Sequence, residues 1–437
     1  MELMWNKAIE TASRDELRSI QNQKLQSLVK RVYEHVPFYH QKMKAMGIEP
    51  GDIKTVDDVR FLPFTEKRDL RENYPFGFFA VPQEEIVRVH ASSGTTGKPT
   101  VAGYTAGDIS LWADLVARSL TVAGVTRSSV VHVAYGYGLF TGGLGAHYGV
   151  ERVGASVIPV SGGNTERQLT LLQDFKATTL LCTPSYALNL AEAMRKHGIP
   201  RENFYLKSGV FGAEPWTDGM RAKIEEMLGI KALDIYGLTE IMGPGVAMEC
   251  FANKGLHIWE DCFYPEVVDA QGTPLPMGQE GELVFTTLSK EGMPLLRYRT
   301  HDITSLDDSP CACGRTHVRM KRVKARTDDM LIIRGVNVFP SQIEYVLMQI
   351  KGIMPVYRII VDRVNNLDTI EVQVELDRTL IGDTVRDLEN LKLQVAHQLN
   401  VGLLIRADVK LCQPGTLPRE GEKSKRVIDL RREKENE

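Results

Sequence analysis

The spacing of apolar residues divides the chain into regions of different secondary structure. In the first hundred residues, apolar positions between Leu17 and Val36 recur at helical spacing and stop at Pro37, which predicts helices. Further along, β-branched runs alternate with helical periodicity, with strands predicted at 130–134 and 179–182 and helices at 169–175 and 185–197. Such alternation is typical of an α/β domain with a largely parallel sheet.

A different pattern begins near residue 326, after a region of strands and turns that starts at Leu283. Strands are predicted at 330–333, 356–361, 369–376 and 407–411, and helices at 341–350 and 383–399. Ser341 is the expected N-cap of the first of these helices, with Glu344 in the capping-box position. The predicted fold class is therefore α/β, with a large N-terminal α/β domain (1–325), a domain boundary near residues 326–329 and a small α+β domain (329–437).

Length, charge and cysteine content narrow the functional classes. A chain of 437 residues exceeds the usual size of a single core, and a net charge of −3 favours neither nucleic acid nor an anionic membrane as a partner. No apolar run approaches the roughly 18 residues that span a bilayer, and the first residues lack the apolar core of a secretory signal. Six cysteines are too few for a disulfide scaffold of this length. We expect a cytoplasmic protein.

The segment SSGTTGKP at 92–99 concentrates hydroxyls, glycines and one lysine between two strand-like stretches. Glycines let backbone amides approach an anion, hydroxyls donate hydrogen bonds and lysine adds charge, which is the chemistry of a phosphate-binding loop. It is not a Walker A loop, because two residues separate the glycines and Pro99 follows the lysine. A Ser/Gly surface turn is the alternative. The candidate phosphate-binding residues are Ser92, Ser93, Gly94, Thr95, Thr96, Gly97 and Lys98.

Cysteine and histidine residues in the middle of the chain suggest a metal site. Cys311 and Cys313 lie too close in sequence for a comfortable mutual disulfide, and Cys250 and His257 lie upstream. Three thiolates and one imidazole would form a closed, structural zinc site. The alternative ligands are Cys262, His301 and His317. The spacing is not that of a standard zinc finger, and independent reduced cysteines are the competing interpretation.

Further motifs follow the SSGTTGKP loop in the order of a known family. They are GAEP at 212–215, DIYGLTE at 234–240, YRTHD at 298–302 and RTDD at 326–329. In order and separation they resemble the motifs of the adenylate-forming superfamily, which includes acyl-CoA synthetases, peptide-synthetase adenylation domains and luciferases. The resemblance covers nearly the whole chain. Segments 134–143, 255–261 and 334–340 resemble its bacterial phenylacetate–CoA ligase branch in particular.

The resemblance implies a two-step reaction carried out by an adenylating N-terminal domain and the small domain. ATP would convert an aryl acid, with phenylacetate as first choice, into an acyl adenylate with release of pyrophosphate. The thiol of coenzyme A would then displace AMP. Because adenylation itself supplies the leaving group, the protein needs positioning and charge stabilisation rather than a side-chain nucleophile. ATP, coenzyme A and Mg²⁺ are the implied partners, beside the structural Zn²⁺ considered above.

The family motifs also imply roles for individual residues. Tyr236 is expected to stack on adenine, Thr239 to contact the α-phosphate and Glu240 to ligate Mg²⁺. Asp302 would accept both ribose hydroxyls, because a carboxylate offers two acceptor oxygens, and Arg326 would make a second ribose or phosphate contact. The remaining nucleotide contacts expected from the resemblance are Gly212, Ala213, Glu214, Asp234, Ile235 and Gly237.

A catalytic lysine is implied near the C-terminus. Lys423 has the register of the family motif, although Glu422 stands where the family has glycine and Gly421 comes one place early. Lys425 is therefore a rival. Lys425 and Arg426 are otherwise typical of a solvated basic tail.

Aromatic residues and glycines follow the strand predicted at 130–134. By resemblance they form an acyl pocket for a flat acid, since glycines leave room and aromatic rings stack, whereas ordinary core packing is the alternative. The pocket candidates are Tyr135, Tyr137, Gly138, Phe140, Gly142 and Gly143. The resemblance also implies a hinge at Asp328 and a coenzyme A face at Arg334 and Gly335.

Other functions remain open from the sequence. The chain could be a ligase for another aryl acid such as indoleacetate, benzoate or a cinnamate, or a stand-alone adenylating module that loads a carrier-protein thiol. A binding protein without activity is a third hypothesis, and Glu422 in place of glycine is the feature that favours it. A homodimer is a further hypothesis that the sequence does not decide.

Overall fold

The computed structural model describes residues 4–92, 99–327, 331–333, 336–364, 367–377, 385–403, 406–418 and 426–431. The chain forms two compact units. The first contains Met1–Thr183, Glu192–Ala213 and Leu228–Val323, and the second contains Pro184–Ala191, Glu214–Met227 and Lys324–Glu437. Among the described residues, no helix is both long enough and apolar enough to cross a membrane.

The N-terminal region is helical, as its apolar spacing predicts. In chain order the helices are α1 (Lys7–Glu10), α2 (Arg14–His35), α3 (Pro37–Ala45), α4 (Lys67–Glu72), α5 (Ala106–Val122), α6 (Thr141–Val153), α7 (Thr165–Asp174), α8 (Pro184–Lys196), α9 (Asp218–Leu228), α10 (Pro340–Met348) and α11 (Val385–Leu403). Helix α2 is capped by Ser13, which forms a reciprocal capping box with Glu16. It ends before Pro37, which starts α3. Proline suits the first position of a helix, because a backbone N–H there has no acceptor within the helix and proline has no N–H.

The strands of the first unit form a large mixed sheet and two smaller antiparallel groups. They are β1 (Arg88–Ser92), β2 (Thr100–Tyr104), β3 (Val130–Val133), β4 (Ser156–Pro159), β5 (Thr179–Cys182), β6 (Ser208–Gly212), β7 (Lys231–Leu238), β8 (Gly243–Glu249), β9 (Leu256–Ile258), β10 (Phe263–Val268), β11 (Gly281–Thr287), β12 (Tyr298–Thr304), β13 (Leu306–Asp307) and β14 (Arg319–Met320).

The large sheet has the strand order β13-β14-β9-β8-β7-β6-β5-β3-β4. Its pairs from β7 through β6, β5 and β3 to β4 are parallel, and its pairs from β7 to β13 are antiparallel. The parallel half is the α/β pattern that the alternating sequence predicts. Its strands are almost continuously apolar, as expected for a sheet that is covered on both faces.

Several of the motifs lie at one edge of this sheet, where the parallel strands end. β3 leads into the predicted acyl segment 134–143, β6 ends at Gly212 and β7 leads to Thr239 and Glu240. Ligands of open α/β sheets bind outside the carboxyl ends of the strands. The topology therefore assembles segments that are about a hundred residues apart in sequence at one edge of the sheet.

Two antiparallel groups flank these segments in sequence. β1 and β2 pair from Arg88 with Tyr104 to Ser92 with Thr100, which is the hairpin expected on either side of the SSGTTGKP loop. β10, β11 and β12 form a second antiparallel group, with a bulge in β11 between Glu282 and Val284. This group carries Asp302 on β12.

The second unit is an α+β fold with its own core. Its strands are β15 (Ala325–Arg326), β16 (Leu331–Ile333), β17 (Val336–Val338), β18 (Ile353–Val364), β19 (Leu367–Leu376), β20 (Asp408–Cys412) and β21 (Val427–Asp429). β20, β19, β18 and β21 form a mixed sheet, against which α10 and α11 pack through buried residues such as Ile343, Leu347, Val395 and Leu399. The predicted fold class, a large α/β part and a smaller α+β part, is confirmed.

The predicted start of α10 is wrong. The helix begins at Pro340, with Phe339 as its N-cap residue, because proline is favoured in the first helical position. The backbone N–H of Phe339 donates to Oε1 of Gln342 at 3.1 Å, so Gln342 has the role expected of Glu344. Glu344 is instead buried and accepts a hydrogen bond from the Tyr357 hydroxyl at 2.9 Å.

Arg426 is not a solvated tail residue. Its guanidinium pairs with Glu344 and lies 3.8 Å from Glu214, and its side chain is 16% exposed. The same guanidinium lies over the ring of Tyr357, 5.2 Å from the centroid. Two carboxylates and an aromatic face compensate the desolvation of this guanidinium. The sequence alone does not show these contacts, because the partners are distant in the chain.

Candidate active site

The DIYGLTE motif occupies β7 and the turn that follows it. The hydroxyl of Tyr236 donates to Oδ2 of Asp302 at 2.6 Å, which joins the predicted adenine-stacking ring to the predicted ribose carboxylate across 66 positions of sequence. Asp302 is 3% exposed, and its backbone N–H donates to the Thr300 hydroxyl. The structure thus brings these two predicted residues together within the first unit.

The other residues of β7 have mainly structural contacts. Ile235 is buried in the core, and a Cβ at Gly237 would lie 1.8 Å from the Gly243 carbonyl oxygen, so only glycine fits there. The Asp234 carboxylate lies 3.4 Å from Nε of Arg322. The predicted nucleotide contact of Asp234 stays a prediction.

Thr239 and Glu240 form a buried turn after β7. The Thr239 hydroxyl lies 3.2 Å from that of Thr141, at the start of α6. The Glu240 side chain is 6% exposed and lies 3.7 Å from Nζ of Lys67. A buried carboxylate of this kind supplies the hard oxygen donor that Mg²⁺ requires. Sequence reasoning missed Lys67, since a single lysine at the start of a helix is usually solvated.

The GAEP segment follows β6. A Cβ at Gly212 would lie 2.2 Å from the Ile235 carbonyl oxygen, which requires glycine at the end of this strand. Ala213 has φ of 70°, in the left-handed region that costs energy for any residue with a side chain. Such strain is concentrated at functional sites. The Glu214 carboxylate accepts a hydrogen bond from the Ser185 backbone N–H at 2.6 Å in the second unit.

The predicted acyl segment is packed at its two ends and exposed at Gly138 and Leu139. Tyr135 is 6% exposed, and the Tyr137 hydroxyl lies 3.4 Å from Nδ1 of His147. Burial raises the pKa of Tyr137, so its hydroxyl stays protonated. A Cβ at Gly142 would lie 2.3 Å from the Phe140 ring, and one at Gly143 would lie 2.5 Å from the carbonyl oxygen of Gly136. Protein atoms therefore fill the space beside Gly142 and Gly143. Gly138 lies between these two glycines and Tyr135 in the sequence.

His90 connects the acyl segment to the strand that leads into the SSGTTGKP loop, and it was not predicted. Its Nδ1 and the backbone N–H of Ala91 both lie 3.0 Å from the Leu139 carbonyl oxygen. Burial lowers the pKa of His90, which favours a neutral ring that donates through Nδ1. No sequence motif marks a lone histidine in a strand.

The remaining predicted residues fall into two groups, those that the structure describes and those outside its described residues. Ser92 ends β1 and is half-buried, and Arg326 lies half-buried on β15 in the second unit. The following calls lie outside the described residues: Ser93, Gly94, Thr95, Thr96, Gly97, Lys98, Asp328, Arg334, Gly335, Lys423 and its rival Lys425.

Comparison with known proteins identifies the family. The family described as AMP-binding enzyme matches residues 24–289, and the family described as AMP-binding enzyme C-terminal domain matches residues 335–431. The chain belongs to the AMP-binding enzyme family. The resemblance drawn from the sequence motifs is thereby confirmed.

This AMP-binding enzyme has relatives of similar length. It is 51% identical to the phenylacetate-coenzyme A ligase of Thermus thermophilus, over 98% of this chain and 100% of the relative. It is 53% identical to the phenylacetate-coenzyme A ligase of Escherichia coli, over 97% of each chain. A crystal structure of 2-hydroxyisobutyryl-CoA ligase, in the postadenylation state with 2-HIB-AMP, has a TM-score of 0.92 at 32% identity, over 99% of this chain and 94% of that one.

A cluster of metal-binding residue types lies elsewhere in the first unit of this AMP-binding enzyme. The candidate ligand atoms of Cys250, His257, Cys311 and Cys313 all lie within 4.8 Å of one another. The Sγ atoms of Cys250 and Cys311 are 3.6 Å apart, and Sγ of Cys313 is 3.3 Å from Nε2 of His257. The interaction with His257 lowers the pKa of the Cys311 thiol, which favours the thiolate form that binds metals.

The alternative metal ligands are engaged elsewhere. Both ring nitrogens of His317 lie about 3 Å from backbone groups, among them the Glu260 N–H and the Ile9 carbonyl oxygen. The Cys262 thiol donates to Oδ2 of Asp261 at 3.4 Å, and Nδ1 of His301 lies 3.5 Å from Glu282. The four residues chosen from sequence are the ones that the structure brings together.

Proposed function

We propose that this AMP-binding enzyme is a phenylacetate–CoA ligase that forms phenylacetyl-adenylate and pyrophosphate from phenylacetate and ATP, and then transfers the phenylacetyl group to coenzyme A. The observation that carries this proposal is identity of more than half over nearly the full length of two phenylacetate-coenzyme A ligases. The joined Tyr236 and Asp302 supply a nucleotide-binding edge that fits the first step. ATP and coenzyme A as co-substrates agree with the cytoplasmic location expected from the sequence.

The residues at the sheet edge have properties that suit the first step. Tyr236 offers a ring for adenine, and the two carboxylate oxygens of Asp302, which lies beside Tyr236, suit the two ribose hydroxyls. Thr239 offers a hydroxyl to the α-phosphate, and Glu240 would hold Mg²⁺, which neutralises phosphate oxygens when bound. The loop from Ser92 to Lys98 would hold the remaining phosphates. With these groups preorganised, the carboxylate of the acid attacks the α-phosphate and pyrophosphate leaves.

The acyl pocket is proposed to follow β3. Tyr135, Tyr137 and Phe140 would enclose the flat ring of the acid, and the half-buried Tyr137, whose hydroxyl lies near His147, would limit its length. The ties of Leu139 to His90 and Ala91 would fix this segment relative to β1. A different aryl acid is the second candidate substrate, since aromatic walls accept several ring types.

The proposal is tested by measuring two products from wild-type protein with Mg²⁺ and ATP. Pyrophosphate should be released with phenylacetate, and phenylacetyl-CoA should form only when coenzyme A is added. Benzoate, indoleacetate and a cinnamate serve as competing acids. Pyrophosphate release without thioester formation would indicate a module that loads a carrier protein, and release of neither product would indicate a binding protein.

The chain is further proposed to divide at residues 326–329 into the domains 1–325 and 329–437, with Asp328 as the hinge between two arrangements. Lys423 and the thiol of coenzyme A must approach the same acyl carbon, so they cannot do so at the same time. Arg334 and Gly335 would lie on the face presented to coenzyme A. The relative 2-hydroxyisobutyryl-CoA ligase has been solved in a postadenylation state and in a thioesterification state with coenzyme A, which supports two arrangements.

Asp328→Pro is expected to spare pyrophosphate release and slow thioester formation severely, because proline fixes φ and a hinge must change it. The two half-reactions are measured separately, the second from supplied phenylacetyl-adenylate. Asp328→Ala, which keeps φ free, is the control and should leave both rates close to wild type. A hinge at this position is contradicted if proline slows both steps equally or neither.

The four-residue cluster is proposed to hold a structural zinc ion. A tetrahedral site with Zn–S bonds of about 2.3 Å has sulfurs about 3.8 Å apart, close to the 3.6 Å between Cys250 and Cys311. Nδ1 of His257 lies 3.1 Å from the His317 carbonyl oxygen, so Nδ1 carries the proton and Nε2 faces Cys313 with its lone pair. Four protein ligands leave no position for a catalytic water.

Protein purified without added metal is expected to contain about one zinc per chain. Cys311→Ser should lose most of this zinc and lower the thermal midpoint by several degrees, both measured on the same preparation. Cys412→Ser is the matched control, since Cys412 is a half-buried cysteine outside the cluster. The site would be refuted by a wild-type preparation that contains no metal and is nevertheless fully stable and active.

A further inference from the structure

Lys290 is a buried lysine in the segment between β11 and β12. The residue is 3% exposed, its Nζ donates to the Glu240 carbonyl oxygen at 3.1 Å, and the ammonium lies 4.6 Å from the centroid of the Tyr104 ring. Burial of a charged ammonium costs free energy, so a lysine at this position is expected to have a specific role.

Lys290 belongs to a set of buried donors that hold the turn after β7. The Tyr104 hydroxyl lies 3.2 Å from the Thr239 carbonyl oxygen and 3.0 Å from that of Met242. Trp112, stacked on Tyr104, donates through Nε1 to the Pro244 carbonyl oxygen at 2.9 Å. The carbonyl of Glu240, between these points, is the one that Lys290 holds. The main chain of the turn and of the start of β8 is therefore fixed by donors from β2, α5 and the β11–β12 segment.

The segment that carries Lys290 is itself fixed. The two carboxylate oxygens of Asp108 accept hydrogen bonds from the backbone N–H groups of Glu291 at 2.7 Å and Gly292 at 2.8 Å. Asp108 is fully buried at the start of α5. The negative charges of Asp108 and Glu240 favour the charged form of the Lys290 amino group.

A neutral donor could also satisfy the Glu240 carbonyl, so the charge of Lys290 requires its own explanation. The turn carries the carboxylate of Glu240, and the neighbouring Asp108 adds a second negative charge. A preorganised positive charge in a site shielded from water interacts strongly with such groups and with incoming anions. Lys290 contacts the turn through the main-chain carbonyl oxygen of Glu240, whereas the Glu240 carboxylate lies 3.7 Å from Nζ of Lys67.

We propose that Lys290 is a positioning residue for adenylate formation, which fixes the main chain of Glu240 and offsets the negative charge of the turn. This inference rests on the proposed function, in which Thr239 contacts the α-phosphate and Glu240 holds Mg²⁺. The second step starts from the adenylate after pyrophosphate has left. It therefore has little need for a preorganised Glu240, and the two steps should depend on Lys290 to different degrees.

Lys290→Met tests this by removing the charge at nearly constant length, and Lys290→Gln keeps an N–H donor without the charge. In Lys290→Met, the single-turnover rate of pyrophosphate release should fall on the order of 10²-fold. The Mg²⁺ concentration for half-maximal rate should rise about tenfold, as when a partner of a metal ligand is lost. Thioester formation from supplied phenylacetyl-adenylate should stay within about threefold of wild type. Lys290→Gln should recover part of the loss in rate.

Lys24→Met is the matched control. Lys24 is another lysine of the first unit, and its Nζ donates to the Asp261 carbonyl oxygen at 2.6 Å and to the Ser289 hydroxyl at 2.8 Å. Its removal should leave the Mg²⁺ requirement unchanged. Equal loss of both half-reactions in both Lys290 variants, or an unchanged Mg²⁺ requirement, would reduce Lys290 to a folding residue and overturn the proposal. A wild-type protein without phenylacetate-dependent pyrophosphate release would refute the proposed function itself.

Discussion

Replacing Lys423 by alanine is expected to slow pyrophosphate release from ATP and phenylacetate by about 10³-fold or more, while thioester formation from supplied phenylacetyl-adenylate stays within a few-fold of wild type. The motivation is the register of Lys423 in the segment PREGEKSKR at 418–426. The carboxylate of the acid and the α-phosphate of ATP are both anions, and a cation between them reduces their repulsion as they approach. Once the adenylate has formed, that repulsion no longer exists.

Lys425→Ala is the matched control for this prediction, because it removes the same charge from the same segment. We expect both half-reactions of this variant to be close to wild type, and a loss of adenylate formation in Lys425→Ala alone would assign the role to Lys425. Arg426 should not be used for the comparison. Its guanidinium is buried against Glu344 and Tyr357, so its loss would disturb packing as well as charge.

Residues that belong to ordered motifs could be predicted because a motif constrains several positions at once. Tyr236 and Asp302 come from two such motifs, and their side chains meet at 2.6 Å. The metal cluster could be predicted for a related reason. Thiolates and imidazoles are preferred zinc ligands, and the four residues taken as first choice, ahead of Cys262, His301 and His317, have candidate ligand atoms within 4.8 Å of one another.

Isolated residues could not be predicted, because their significance lies in tertiary contacts. Lys290 lies in the turn-like sequence LSKEG, where a lysine is usually solvated. Only the fold shows that Asp108 accepts hydrogen bonds from this segment and holds it in the interior. His90 likewise has no motif, and its role follows from one carbonyl of a segment 49 positions away. The helix cap at Ser341 failed differently, because two local signals competed and Pro340 in the first helical position prevailed over the serine.

Replacing Arg118 by methionine is expected to destabilise the first unit by about 3–5 kcal/mol at pH 7, since it leaves a buried carboxylate without its partner. Arg118 on α5 donates to both oxygens of Asp261, at 2.7 and 3.2 Å, and it lies 4.9 Å from the ring centroid of Trp259. Both charged residues are buried. The measurement is the free energy of the first unfolding transition in urea.

The same variant should show a characteristic dependence on pH. Burial raises the pKa of Asp261, but the charge and hydrogen bonds of Arg118 lower it more, to about 2, compared with 3.8 for a free aspartate. In the wild type this pairing adds stability above pH 3.8 that is lost as the pH falls towards 2. Without the guanidinium, burial raises the pKa of Asp261 above that of a free aspartate. Protonation of Asp261 then removes the unpaired buried charge and reduces the variant's loss of stability. The loss of stability should therefore be largest near pH 7 and shrink towards pH 4.

Two further variants separate the buried charge from simple loss of contacts. Arg18→Met removes an exposed arginine that pairs with exposed Asp57, and it should cost less than about 1 kcal/mol at any pH. The double variant Arg118→Met with Asp261→Asn removes both charges, so it should recover much of the stability that Arg118→Met loses. Its difference in stability from wild type should no longer depend on pH between 4 and 7. If the single variant lost the same stability at pH 4 as at pH 7, the cost would come from lost packing against Trp259 rather than from the stranded carboxylate.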